Sequence, residues 1–154
     1  MGIRDSLTGA AKLLGVQSQF NLVAPHRFQD ILEGIISSRT TLGKEATSAL
    51  WWWESLREPV ASVKPLNAVE ILKDLFHTNE SVWFVAEDRG QKKLGNFWLY
   101  DTNVSTVCAL LNEMPAFEYY VVAKKFDWLV CENHHGYLIA SGEPMATRIK
   151  RLQA

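Results

Sequence analysis

The sequence predicts an α+β fold: a mainly antiparallel sheet of about five or six strands, helices packed on it, and a helical N-terminal third. Three observations carry that expectation. Residues 117–144 hold three short apolar, β-branched and aromatic runs, split by Lys124-Lys125-Phe126-Asp127 and by His134-His135-Gly136, which is the pattern of a three-strand meander. Residues 81–87 and 96–100 form a second hairpin pattern around the polar stretch 88–93. Strands that arrive in hairpins rather than in βαβ units indicate an antiparallel sheet. The 154 residues favour one domain, and a chain of that size buries roughly 70% of its unfolded surface.

The elements follow in order. Residues 6–14 read as a helix with Leu7, Ala10, Ala11 and Leu14 on one face, ended by Gly15. Asp5 or Ser6 is its expected cap. The start also fits a loose myristoylation pattern through Gly2 and Ser6, but no polybasic second signal follows. Residues 20–25 are extended or loop, and 28–37 form a second helix through Phe28, Ile31, Leu32, Ile35 and Ile36. After a connector at 38–43, a third helix is expected over 44–57, stopping before Pro59. It carries Trp51-Trp52-Trp53. Three consecutive residues cannot share one helix face, so Ala49, Trp52, Trp53 and Leu56 turn one way. Trp51 either packs under a neighbouring element or stands exposed as a contact.

Residues 60–63 form a short strand. Residues 68–77 form a helix after Pro65 and Asn67, with Val69, Leu72 and Phe76 inward. The strands 81–87 and 96–100 lack clean alternation, which predicts cover on both sheet faces. Residues 104–113 form a helix capped by Asp101 or Thr102, with Val107, Leu110, Leu111 and Met114 buried. After the meander, 143–152 form a closing helix with Pro144 in its first turn.

Composition narrows function more than it names it. The 16 basic and 17 acidic residues leave a net charge of -1, and Lys92-Lys93, Lys124-Lys125 and Arg148-Lys150-Arg151 fall in different elements. Nucleic-acid binding needs such residues on one surface and is not expected. No apolar run approaches the roughly 20 residues of a membrane span. Cys108 and Cys131 make no paired motif, so a reduced, cytoplasmic setting is expected.

The densest group of reactive side chains closes the middle strand of the meander: Cys131, Glu132, Asn133, His134 and His135. On a regular strand Trp128, Val130, Glu132 and His134 share one face, while Leu129, Cys131, Asn133 and His135 share the other. Either face offers two ligands where zinc wants three or four, so no metal and no cofactor is expected. Cys131 sits mid-strand among apolar neighbours and reads as a buried, inert thiol. Ser141 reads as the cap of the last helix. Glu-Asn-His-His-Gly reads first as a hairpin turn.

Several stretches carry a family resemblance: Val-Trp-Phe-Val at 82–85, Asn-Phe-Trp-Leu-Tyr at 96–100, Phe-Glu-Tyr-Tyr-Val-Val at 117–122, Trp-Leu-Val-Cys-Glu-Asn-His-His at 128–135 and Ser-Gly at 141–142. These resemble a family of small bacterial proteins built on a domain of unknown function. The likeness covers roughly residues 51–152 and is strongest near the C-terminus. Such proteins are similar in size and style to immunity proteins of toxin systems, which implies by analogy a protein partner. The family itself implies no activity. In its pattern an acidic residue often follows the His pair; Gly136 stands there instead, which weakens a charge-based role at that spot.

Two readings of function remain open on the sequence. One is a non-enzymatic protein-binding or immunity-type module, suggested by surplus aromatics and the lack of a complete catalytic set. The other is a small-ligand binder or enzyme in which Glu132 acts as base and His134 as acid, with His135, Asn133, Tyr120 and Tyr137 alongside. Oligomeric state is open.

Overall fold

A computed structural model describes residues 2–43, 45–47, 49–89 and 96–152. The helices are α1 (Ile3–Leu14), α2 (Pro25–Arg39), α3 (Ala68–Leu75), α4 (Val104–Leu111) and α5 (Met145–Leu152). The strands are β1 (Asn21–Leu22), β2 (Val60–Val63), β3 (Ser81–Glu87), β4 (Phe97–Asn103), β5 (Tyr119–Ala123), β6 (Leu129–Glu132) and β7 (Leu138–Ser141). They form one antiparallel sheet in the order β1-β4-β3-β5-β6-β7-β2. The fold is α+β, with the meander at β5–β7 as expected. The strand count is seven because the extended stretch after α1 pairs with β4 as a two-residue edge.

Both sheet faces are covered, which explains the unbroken apolar strands. One face packs Val82, Phe84, Tyr119, Val121 and Val130 under α1, α3, α4 and α5. The other packs Trp83, Val85, Leu99, Tyr120, Val122 and Leu129 against Phe28, Leu32, Ile35 and Ile36 of α2, and against Trp52. None of the described helices is long and apolar enough to cross a membrane.

Four local expectations need correction. Among the described residues, the expected helix at 44–57 is absent; Lys44 and Ser48 lie outside them. Trp51 has left-handed backbone (φ 58) and opens a single 3-10 turn, Trp52–Ser55. Helical spacing lost to tertiary anchoring: Thr40 bridges Leu56, and the Thr41 and Arg57 amides donate to Ser55 and Arg39 carbonyls. The part of the expected turn at 88–93 beyond Arg89 lies outside the described residues.

The caps also differ. α1 starts after Gly2 with no side-chain cap, although Gly15 ends it in left-handed geometry as expected. β4 runs three residues further than its apolar stretch, taking Asp101 and Thr102 into the strand, so Asn103 caps α4 by accepting from the Thr106 amide at 3.0 Å. Ser141 does not cap α5. Its hydroxyl donates to the Arg57 carbonyl at 2.6 Å, and Glu143 instead accepts from the Thr147 amide.

The sheet register brings one set of strand ends together. Glu87 closes β3 beside the start of β5, its amide donating to the Glu118 carbonyl at 3.1 Å. Tyr119 opposes Glu132 at the end of β6. The β6–β7 turn projects from the same end.

Candidate functional site

Asn133 builds the turn. Its side-chain oxygen accepts from the amides of His135 and Tyr137, both at 3.0 Å, and its backbone amide donates to the Tyr137 carbonyl. Gly136 supplies the positive φ of 81° that closes such a turn. Strand alternation therefore stops at Glu132, and the two neighbours part company.

Glu132 stays on the face of α4. Its carboxylate accepts from the Tyr119 hydroxyl at 2.8 Å. Burial raises its pKa, and the tyrosine hydrogen bond opposes that. His134 swings to the opposite face. Its amide donates to Oε2 of Glu118 at 2.6 Å, and its Nδ1 is hydrogen-bonded with the same oxygen at 2.5 Å. The base–acid pair Glu132–His134 is thus not assembled; the carboxylate partner of His134 is Glu118.

The other expected residues are scattered by the same turn. His135 is exposed, with its ring 4.0 Å from that of His134. Tyr137 is 41% exposed and carries the Lys64 ammonium 5.5 Å above its ring. Tyr120 is fully buried, 4.9 Å from the Trp52 ring, and burial drives its hydroxyl pKa far upward. Cys131 is buried, and desolvation likewise raises its thiol pKa.

Sequence reasoning missed Glu87 and Glu118. Both are more than nine-tenths buried, at 8% and 5% exposed, on the face that packs against α2. Burial, then the charge of Glu118 beside it, pushes the Glu87 carboxyl up to about 7; Arg89 and the Trp51 amide pull the other way. The Oε1 atoms of both residues lack a donor from the protein. A carboxyl that has another carboxyl beside it keeps its proton to a higher pH, which is the sense of the Glu87 shift. A signal for them exists in the sequence: each is a carboxylate abutting an apolar strand, in Ser81–Glu87 and in Phe117-Glu118-Tyr119-Tyr120.

Aromatic rings gather around His134 and Arg89, the two side chains that contact these acids. The Trp51 ring lies 6.0 Å from that of His134, and Trp53 meets His134 and His135 edge-on at 5.8 and 5.9 Å. The Arg89 guanidinium sits 5.2 Å from the Trp51 ring and 3.6 Å from Oε2 of Glu87. Among the described residues no group of three or more His, Cys, Asp or Glu is placed to hold a metal ion. Cavities of about 550, 270 and 160 Å3 lie on the opposite face of the sheet. The second of these has Glu132 and Tyr119 in its wall.

Comparison with protein families gives a match over residues 1–153 to the model described as "Family of unknown function (DUF6756)". No curated protein and no solved structure matches the chain.

Proposed function

The chain belongs to the DUF6756 family of unknown function, and from that premise we propose that it is a non-enzymatic protein-binding module. The carrying observation is Trp51. It is 37% exposed, held in left-handed backbone, and braced by His134 and Arg89. Residues held in strained backbone cluster at binding and switch sites, and tryptophan is a frequent anchor of protein interfaces. His134, His135 and Tyr137 are exposed on the neighbouring turn. An immunity-type role against a toxin is the specific form of this reading that the sequence resemblance suggests.

The test is affinity capture from the native cells with wild-type protein and with Trp51→Gly and Tyr137→Ala variants of unchanged circular dichroism. A defined partner held by the wild type and lost by both variants supports the proposal. Capture that is indifferent to the two substitutions, or no partner at all, counts against it.

A second reading has its own observation. Glu132 and Tyr119 face a cavity of about 270 Å3, with Leu111, Met114 and Phe117 among its walls. A half-buried carboxylate in a cup of mixed polar and apolar lining suits a small amine. Thermal-shift screening of amines against wild type and Glu132→Gln tests it; hits that stabilise both equally exclude it.

A further inference from the structure

We infer that the Glu87–Glu118 pair beside the tryptophan loop is a receptor for an arginine-like side chain of a protein partner, and that the chain's own Arg89 holds the place until that partner arrives. This rests on the protein-binding reading and gives the partner a chemistry: a basic contact segment.

Three observations converge. First, two carboxyl oxygens are buried with no donor from the protein, Oε1 of Glu87 and Oε1 of Glu118. A carboxyl pair so deprived is complementary to a planar group with several N–H donors, and a guanidinium can serve two oxygens at once. Second, the Arg89 guanidinium lies 5.2 Å over the Trp51 ring, so the position it occupies already has the ring half of a cation site. Third, a guanidinium is already there, and it fits loosely. Arg89 approaches Glu87 only to 3.6 Å, beyond hydrogen-bond reach, and its side chain is 58% exposed. A contact this long, made from the exposed side by Arg89 alone, holds weakly, so a better-placed cation displaces it readily. Arg89 leaves both Oε1 atoms unserved.

The groups facing Glu87 define how binding responds to pH. They are Glu118 from the start of β5, Arg89 from the end of β3, and the amide of Trp51 from the tryptophan loop. His134 from the β6–β7 turn is bonded to Glu118, and Tyr120 lies beneath. An incoming cation favours ionised Glu87 and expels its proton. Affinity therefore rises with pH through the neutral range and levels off once Glu87 is ionised.

Methylguanidinium chloride is the probe. It is titrated into Arg89→Gln, wild type and the double variant Arg89→Gln/Glu87→Gln, with tryptophan fluorescence as readout and sodium chloride at equal ionic strength as control. Saturable quenching is expected in Arg89→Gln, about tenfold tighter than in wild type and at least about tenfold weaker in the double variant. It should tighten between about pH 6 and about pH 8. On wild type, where no variant need fold, the side-chain NMR signal of Arg89 should move towards that of a free arginine as methylguanidinium is added.

A response of Arg89→Gln no different from sodium chloride overturns the inference, as does one that survives Glu87→Gln. Loss of this response while capture of a protein partner still depends on Trp51 would sink the arginine receptor alone. Loss of the partner with the response intact would sink the protein-binding reading alone.

Discussion

Thr40 and Leu56 meet in a lone antiparallel bridge that closes the loop carrying the three tryptophans. Thr40 is fully buried; its hydroxyl donates to the Ile36 carbonyl at 2.7 Å and accepts from the Leu42 amide at 3.1 Å. Thr40→Val keeps the shape and removes both bonds. It should cost about 1–3 kcal/mol, the range for stranding buried polar groups. It should also speed amide exchange at Thr41 and Arg57, which are bonded across the loop neck. Unchanged exchange there would show that the bridge does not hold the loop.

Glu87 makes stability fall as pH rises. Its carboxyl is at about 7 in the folded protein against an ordinary 4.5. Between those values the folded chain binds more protons than the unfolded one, so stability declines across the window and levels off above about 7. Glu87→Gln removes that decline. Relative to wild type, the variant should gain about 2 kcal/mol between about pH 5 and about pH 8 in urea denaturation. Parallel curves for the two proteins would refute the assignment.

His134 and His135 are adjacent and unequal. His134→Ala removes the ring's hydrogen bond with the buried Oε2 of Glu118 and should cost about 1–2 kcal/mol. His135→Ala removes an exposed ring and should cost under about 1 kcal/mol. Chemical denaturation of the two variants separates them; equal losses would mean that the Glu118 bond carries no weight.

Trp128 is 4% exposed and packs 5.3 Å from the Phe76 ring, just ahead of the central strand β6. Trp128→Ala should destabilise by about 3–5 kcal/mol, the range for losing a large buried aromatic. A loss below about 1 kcal/mol would contradict the packing of α3 on the meander.

Trp51 separates contact from stability. At φ 58 an L-residue is strained by about 1–2 kcal/mol and glycine is not. Trp51→Gly should leave the melting temperature unchanged or raised while abolishing partner capture. A sharp drop in melting temperature would mark Trp51 as a core residue.

Strand cores were readable because their signal is local. Val60–Val63 and Ser81–Glu87 fall at the residues where the apolar runs place them. The tryptophan loop was not readable: Ala49, Trp52, Trp53 and Leu56 have helical spacing, and nothing local shows that Thr40 will bridge Leu56. At the site, sorting Glu132 and His134 onto one face assumed a strand running through Asn133, whereas Asn133 and Gly136 are themselves turn residues. Glu87 and Glu118 come together only through the β3–β5 pairing, and β4 and α4 intervene along the chain. Long-range pairing of that kind leaves no mark in either segment.

Sheet order also constrains how the protein is made. Both edges come from the early chain: β1 joins Asn21 and Leu22 to Asp101 and Tyr100, and β2 joins Val60–Val63 to Leu138–Ser141. A growing chain leaves the ribosome N-terminus first, so α1, α2 and the tryptophan loop are synthesised before any strand they cover exists. The apolar face of α2, with Ile35 and Ile36 fully enclosed in the finished protein, stays bare until β3 to β6 have emerged. A stall in the middle of synthesis, before those strands emerge, therefore exposes a sticky, uncovered helix.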